Sequence, residues 1–311
     1  MQARRSFLKK LGSLALVAGS STLLPRFARA SDCFEYENRM HKVTLLHTND
    51  VHSRIEPFPM DGGKNQGKAG IAKRAGLIQQ IRREEKEVLL LDAGDMFQGT
   101  PYFNYFGGEI EMKLMSKMGY DAATIGNHDF DGGIDGLHKH YSKHAKFDLI
   151  NCNYDFSNTI MHASCKPYQI YQKGAIKIGV LGVGVELEGL VPNVLYKETQ
   201  YLPPIKRANE IAAVLKNDEQ CDYVICLSHL GYQYKNKVSD RVLAKESEYI
   251  DLIIGGHTHT FLDKPALVQN KAGREVFISQ VGWAGIVLGR IDLYFEQNFS
   301  SKCIECKNSL I

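Results

Sequence analysis

Apolar positions along the chain come in short clusters rather than long stripes. From residue 42 onward, β-branched or leucine-rich runs recur between glycine and polar residues: KVTLL from 42, EVLLLD from 87, DAATIG from 121, FDLINC from 147, IKIGVLGV from 176, DYVICLS from 222, DLIIGG from 251 and EVFISQ from 275. Such near-continuous runs predict strands buried on both faces. Between them, Ile71, Ala75, Ile78 and Ile81 keep helical spacing, as do Ile205, Ala208, Ile211, Ala212 and Leu215. Strand and helix in alternation predict an α/β layered fold with covered sheets. The stretch GWAGIVLGRIDLYFE from 282 reads as two further strands joined by a bend. Glu56 to Lys68 reads as the one long loop, set between the first strand and its helix, where it can overhang a site.

The first thirty residues follow another pattern. Arg4 and Arg5 precede SFLKK, a mildly apolar run from Leu11 to Leu24, and the small-residue sequence Ala28-Arg29-Ala30. This order predicts a cleavable export signal. The twin arginine with Phe7, Leu8 and Lys9 points to the Tat route and a periplasmic destination. The run is too short and too polar for a permanent membrane span. Its removal takes Arg4, Arg5, Lys9, Lys10, Arg26 and Arg29 from the 38 basic residues and none of the 35 acidic ones, so the net charge falls from +3 to −3. The basicity of the whole chain therefore gives no footprint for nucleic acid or membrane binding. Seven cysteines at irregular spacings do not form a disulfide scaffold. Cys303-x-x-Cys306 alone is a weak zinc or redox signal, with a terminal disulfide or free thiols the more ordinary reading.

Chemistry collects at the ends of the apolar runs. Asp50 and His52 follow KVTLL, Asp95 follows LLLD, Asn127 and His128 follow DAATIG, His229 closes DYVICLS, and His257 and His259 follow LIIGG. Ligands of α/β sheets bind outside the carboxyl ends of strands, so five strands can deliver Asp, Asn and His to one rim. Imidazole, carboxylate and amide oxygen together suit divalent ions such as Zn, Mn, Co, Fe or Mg. A bridging carboxylate between two such ions produces a hydroxide nucleophile and a clamp for a phosphoryl group. Taken singly, Asp95 reads more readily as a helix cap and His229 as a satisfied core histidine; the ordered set is what carries the functional reading. His47 and Asn49 read as supports of the turn that carries Asp50. His138, His140 and His144 fall on a predicted helix, where His140 and His144 have metal-binding spacing but a solvated face is the plainer account.

The wording and order of LLHTNDVHSR, LLLDAGDMFQGT, IGNHDFD, SHLG and GGHTHT resemble the calcineurin-like metallophosphoesterases, and within them the 5′-nucleotidase family. The resemblance runs from residue 43 to about 295. It implies a four-layer α/β/β/α sandwich with two mixed sheets, a metallophosphoesterase domain over 42–298, a short preceding segment 31–41 and a tail over 299–311. It also implies two divalent ions: Asp50, His52 and His259 on the first, Asn127, His229 and His257 on the second, and Asp95 bridging. His128 would face the phosphate of a phosphoester substrate together with Asn127, with Asp131 orienting its imidazole. Gly126 is expected to let the chain bend there, and Asp129 stands where the family has a carboxylate without a metal role, either supporting the ligands from behind or purely structural, with no specific role assigned. Larger members of the family carry a second domain that recognises the nucleotide, and its residues have no counterpart here. Hydrolysis of a phosphomonoester, of the nucleoside 5′-monophosphate class, is thus the leading expectation. A cyclic-nucleotide or nucleotide-sugar phosphodiesterase, or a catalytic subunit needing a separate substrate-binding protein, are the alternatives.

Overall fold

In β1 (His41–Thr48) both faces of the strand are covered, which is why its sequence shows no alternation. Leu46 joins an apolar cluster with Ile78, Ile81, Met112 and Leu137. Val43 and Leu45 point the other way, into a second cluster with Ile178, Ile225 and Leu227. The same division holds in β2 (Val88–Asp92), with Leu90 on one side and Leu89 and Leu91 on the other. A third cluster, with Leu181, Val183, Ala208, Ile211 and Leu243, backs the opposite face of the second sheet. Three apolar layers thus separate four layers of structure: helices, sheet, sheet, helices.

These statements rest on a computed structural model that describes residues 40–296 and 301–311. The export signal expected over 1–30, and the segment up to residue 39, lie outside the described residues. The first sheet runs β1, β2, β3 (Ala122–Ala123), β4 (Asp148–Ile150) and Cys165–Lys166 in parallel, and on its other side β1 pairs antiparallel with Val287–Phe295. The second sheet has Ile176–Gly184, Tyr223–His229, Leu252–Gly255 and Glu275–Ser279 in parallel, flanked by antiparallel Tyr168–Lys173 and Ala266–Gln269. Both sheets are mixed, as expected. The helix Ile71–Glu84 and the helices Glu109–Met118 and Gly133–His144 contribute to the outer cluster on the first sheet. Pro204–Ala213 and Asp240–Glu246 contribute to that on the second.

Three expectations change. The stretch from Gly282 yields one strand, Val287–Phe295, rather than two, because the residues before it turn: Gly282 N–H bonds to Thr260 C=O and Ile286 N–H to Trp283 C=O. Residues past 299 add strands, since Ser301–Cys306 and Ser309–Leu310 both pair with Val287–Phe295. DAATIG keeps only two residues, Ala122 and Ala123, in the ladder. Cys303 lies outside the described side chains. Among the described residues, no helix is long and apolar enough to cross a membrane.

Leu45 is fully buried in the inter-sheet layer. Leu45→Ala is expected to cost about 2–5 kcal/mol, read as a lower urea midpoint, without changing turnover per folded molecule.

Candidate metal centre

Five backbone positions at the carboxyl edge share an unusual conformation. Asp50 (φ 50°), His52 (50°), Asp95 (58°), His257 (71°) and His259 (51°) are all left-handed without being glycine. Such positions cost of order 1 kcal/mol or more each and persist where the surroundings impose them. Here the loops hold one another: Asp50 N–H donates to Gly94 C=O at 2.9 Å, His52 N–H to Asp95 C=O at 3.0 Å, and Ala284 N–H to Asp50 C=O at 2.7 Å. The effect is to aim side chains that follow β1, β2 and the strand Leu252–Gly255 of the second sheet at one another.

Two groups result. In one, Asp50, His52 and His259 each offer an atom within 4.8 Å of the others. His52 Nε2 and His259 Nε2 face each other at 3.1 Å, and His259 Nε2 is 3.4 Å from Asp50 Oδ1. His52 Nδ1 sits 3.2 Å from Phe97 C=O, which can only accept, so the Nδ1 carries the proton and Nε2 keeps its lone pair. In the other, Asp95, His229 and His257 meet the same spacing. His229 Nδ1 donates to Ala93 C=O at 2.7 Å, which again frees Nε2. Asp95 lies between the groups, its Oδ2 3.1 Å from His229 Nε2 and 3.8 Å from His52 Nε2.

Two buried atoms in this space lack a hydrogen-bond partner: His229 Nε2 and Asn127 Oδ1. His229 Nε2 is close to Asp95 but not in hydrogen-bond geometry. Buried polar atoms are nearly always paired, so these two ask for a cation. The electrostatics agree. Burial opposes charge on His229, but Asp95 and Asp50 push its pKa up to about 10, the mark of a nitrogen that faces two carboxylates and so favours positive charge beside it. Burial likewise opposes ionisation of Asp95, yet His229 and His52 hold its carboxyl well below the usual range. Burial and the nearby His229 lower the pKa of His257 to about 4, which favours a ring with a free lone pair. The donors are N and O without thiolate, and they fit divalent transition ions.

His128 stands apart from these groups and is more open, with its side chain 39% exposed. Its backbone N–H donates to Asp95 Oδ1 at 2.8 Å, and its Nδ1 lies 2.8 Å from Asp131 Oδ2. That contact, followed by Asp95, raises its pKa against the opposing effect of burial. The His128 ring sits edge-on to His52 at 5.3 Å. Beside His257 a groove of about 520 Å³ opens, lined in part by Leu190, Tyr201, Leu230 and Tyr234.

Asp129, left without a role in the sequence, has a clear one. It is fully buried, and its carboxylate accepts four backbone N–H groups: Met96 at 2.8 Å, Phe97 at 3.1 Å, Asp95 at 3.0 Å and Gly126 at 2.8 Å. It ties the loop after β2 to the loop after β3. Burial and the Asp95 carboxylate push its pKa up, and the four donors oppose them. Gly126 is not in the left-handed region, so a bend is not its purpose; a Cβ there would lie 2.2 Å from Asp95 Oδ1. Asn49 holds Asp50 through Nδ2 at 2.6 Å, as its position suggested. His47 lies in β1 rather than under the turn, buried beside Ser279 Oγ at 3.1 Å. Trp283, which sequence reading passed over, stacks on His259 at 5.7 Å and meets Phe58 of the long loop at the same distance. His140 and His144 are not on a solvated face: the first is buried and the second nearly so.

The sheet pair and its shared rim define a metallophosphatase-like fold. The sequence profile of the calcineurin-like phosphoesterases matches residues 43–261, and the chain belongs to that family. It is 32% identical over 307 residues to a snake venom 5′-nucleotidase of Gloydius brevicauda, covering 91% of this chain and 49% of the relative. Among solved structures, a 5′-nucleotidase precursor of Thermus thermophilus superposes with a TM-score of 0.79 at 28% identity, over 87% of this chain and 55% of that one. The NAD nucleotidase of Haemophilus influenzae gives 0.77 at 25% identity, over 88% and 56%. The chain spans about half the length of these relatives.

Asp129→Asn turns two N–H donors toward the loop N–H groups. It is expected to destabilise the chain by roughly 2–4 kcal/mol and to weaken metal retention, measured by thermal melting and by elemental analysis after desalting.

Proposed function

We propose that the chain is an exported phosphoesterase using two divalent ions, and that its substrates are phosphomonoesters of the nucleoside 5′-monophosphate class. The observation that carries this reading is the pair of ligand groups facing each other across Asp95, with the more exposed His128 beside them. Asp50, His52 and His259 would hold one ion, Asn127, His229 and His257 the other, and Asp95 would touch both. When bound, the ions supply an activated water and neutralise the phosphoryl oxygens. Asp131 accepts the Nδ1 proton of His128, which fixes the ring and leaves Nε2 for the substrate. In its charged form the imidazolium stabilises a phosphate oxygen, beside Asn127, and gives a proton to the departing alkoxide. The groove beside His257, with Tyr201 and Tyr234, offers apolar and aromatic surface for a nucleoside leaving group. Export by the Tat route to the periplasm belongs to the same proposal and rests on Arg4 and Arg5.

The likeness to a NAD nucleotidase favours a second reading, in which a nucleotide diester is hydrolysed. A panel of AMP, cyclic nucleotides, nucleotide sugars and an aryl phosphate decides between them. Turnover of the aryl phosphate without any nucleotide would instead favour a site completed by a separate substrate-binding protein.

Dialysis against a chelator is expected to abolish turnover, and Mn²⁺, Co²⁺ or Zn²⁺ to restore it; full activity in the stripped protein would sink the mechanism. His128→Asn is expected to keep the ions and lose roughly a hundredfold or more in kcat. Because Asp131 raises the pKa of His128, activity that needs the imidazolium persists until pH rises through that raised value. In Asp131→Asn the alkaline limb of the kcat profile should therefore move to lower pH. An unmoved limb would remove His128 as the proton donor.

A further inference from the structure

We propose that Glu109, His140 and His144 form a separate site for one divalent transition-metal ion of the zinc class, clamping the helix Glu109–Met118 to the helix Gly133–His144. One ligand atom from each of the three residues lies within 4.8 Å of the others, and none of the three belongs to the centre described above. The two histidines are one helical turn apart and project from the same face, the spacing by which a helix offers two imidazoles to one ion. Their rings are 6.3 Å apart and nearly parallel, at 16°. Glu109 approaches from the first turn of the neighbouring helix, with His144 Nε2 3.8 Å from its Oε1.

Burial makes this more than a chance grouping. His140 is 9% exposed and its Nδ1 has no hydrogen-bond partner; the His144 side chain is 10% exposed and its Nε2 has none either. Two buried imidazole nitrogens without partners, beside a carboxylate, are what a native fold avoids unless something occupies the space. The approach is close: the chain passes through left-handed Gly107 and Gly108 just before Glu109, and a Cβ on Gly107 would lie 3.4 Å from His140 Nε2.

Lys113 competes, since its ammonium pairs with Glu109 Oε1 at the exposed side. That ammonium nonetheless satisfies neither orphaned ring nitrogen, since His140 Nδ1 and His144 Nε2 both remain without a hydrogen-bond partner. Zinc bonds of about 2.0–2.2 Å space tetrahedral ligands roughly 3.4 Å apart, so the three side chains draw in by about an ångström on binding. The remaining position is open to water. The helix Gly133–His144 begins two residues after Asp131, so an ion at its far end braces the element that follows the His128–Asp131 pair.

The test uses the full chain, stripped with chelator, reloaded with Zn²⁺ alone, desalted and counted by elemental analysis. The parent is expected to retain about one ion more per chain than His144→Ala, with the aryl phosphatase kcat of the variant within about twofold of the parent. His144 is the last residue of its helix, so alanine there keeps the fold, and far-UV circular dichroism checks that it does. In an Asp50→Asn, Asp95→Asn, His257→Ala background, which disables both groups of the main centre, Zn²⁺ should still raise the Tm by about 3 °C or more, and adding His144→Ala should remove that rise. Equal zinc content with and without His144, or no zinc-dependent rise in that background, would overturn the site. Because the readouts are metal content and melting, such a failure leaves the phosphoesterase reading standing.

Discussion

The Asp129 carboxylate sits in a fully buried position and receives four backbone N–H groups from two loops. Much else in the site follows from that arrangement. Asp95 begins the run of three N–H groups that Asp129 collects, so its left-handed backbone is held from below. Gly126, on the other loop, comes so near Asp95 that no side chain fits between them. His128 then hands its own N–H to Asp95, and its ring is left free to meet Asp131. A buried acid thus fixes the geometry of a second acid, and through it the separation between the groups of histidines.

The wider frame supplies the other half of the constraint. The two sheets pack face to face through Leu45, Leu89, Ile178, Ile225 and their neighbours, and both present carboxyl ends of strands on one edge. Asp50, Asp95 and Asn127 come from the first sheet, His229, His257 and His259 from the second. Neither sheet alone carries a complete ligand group, since Asp50 and His52 need His259, and Asp95 needs His229 and His257. The apolar layer between the sheets is therefore what brings opposite charges together, and burial there makes their mutual effect on protonation large.

The concentration of strained backbone at this edge fits the same account. Left-handed Asp50, His52, Asp95 and His257 each have a backbone N–H bonded to a group on a different loop, as with His52 on Asp95 C=O, and Asp50 C=O also accepts from Ala284 N–H. His257 N–H closes the set by donating to both oxygens of Asp50, at 2.9 and 3.0 Å. The loops satisfy one another's backbone groups, and that mutual bonding is what holds these positions together at the rim.

Sequence alone determined the apolar runs, their order with the helices, and the residues that follow each run, because buried parallel strands and strand-end chemistry leave local marks. Asp50, His52, Asp95, Asn127, His128, His229, His257 and His259 were legible for that reason, and Asp131 through its resemblance to the family. Only the tertiary structure decided which side of a helix was buried, so His140 and His144 read as a wet face until the helix Glu109–Met118 was seen against them. Asp129 was opaque for a related reason: its partners are N–H groups, which every residue has and no sequence pattern marks. The strands beyond residue 299 and the stacking of Trp283 on His259 likewise depend on neighbours far away in the chain. What a residue is lies in the sequence; what it faces is set by packing between segments that the local pattern does not relate.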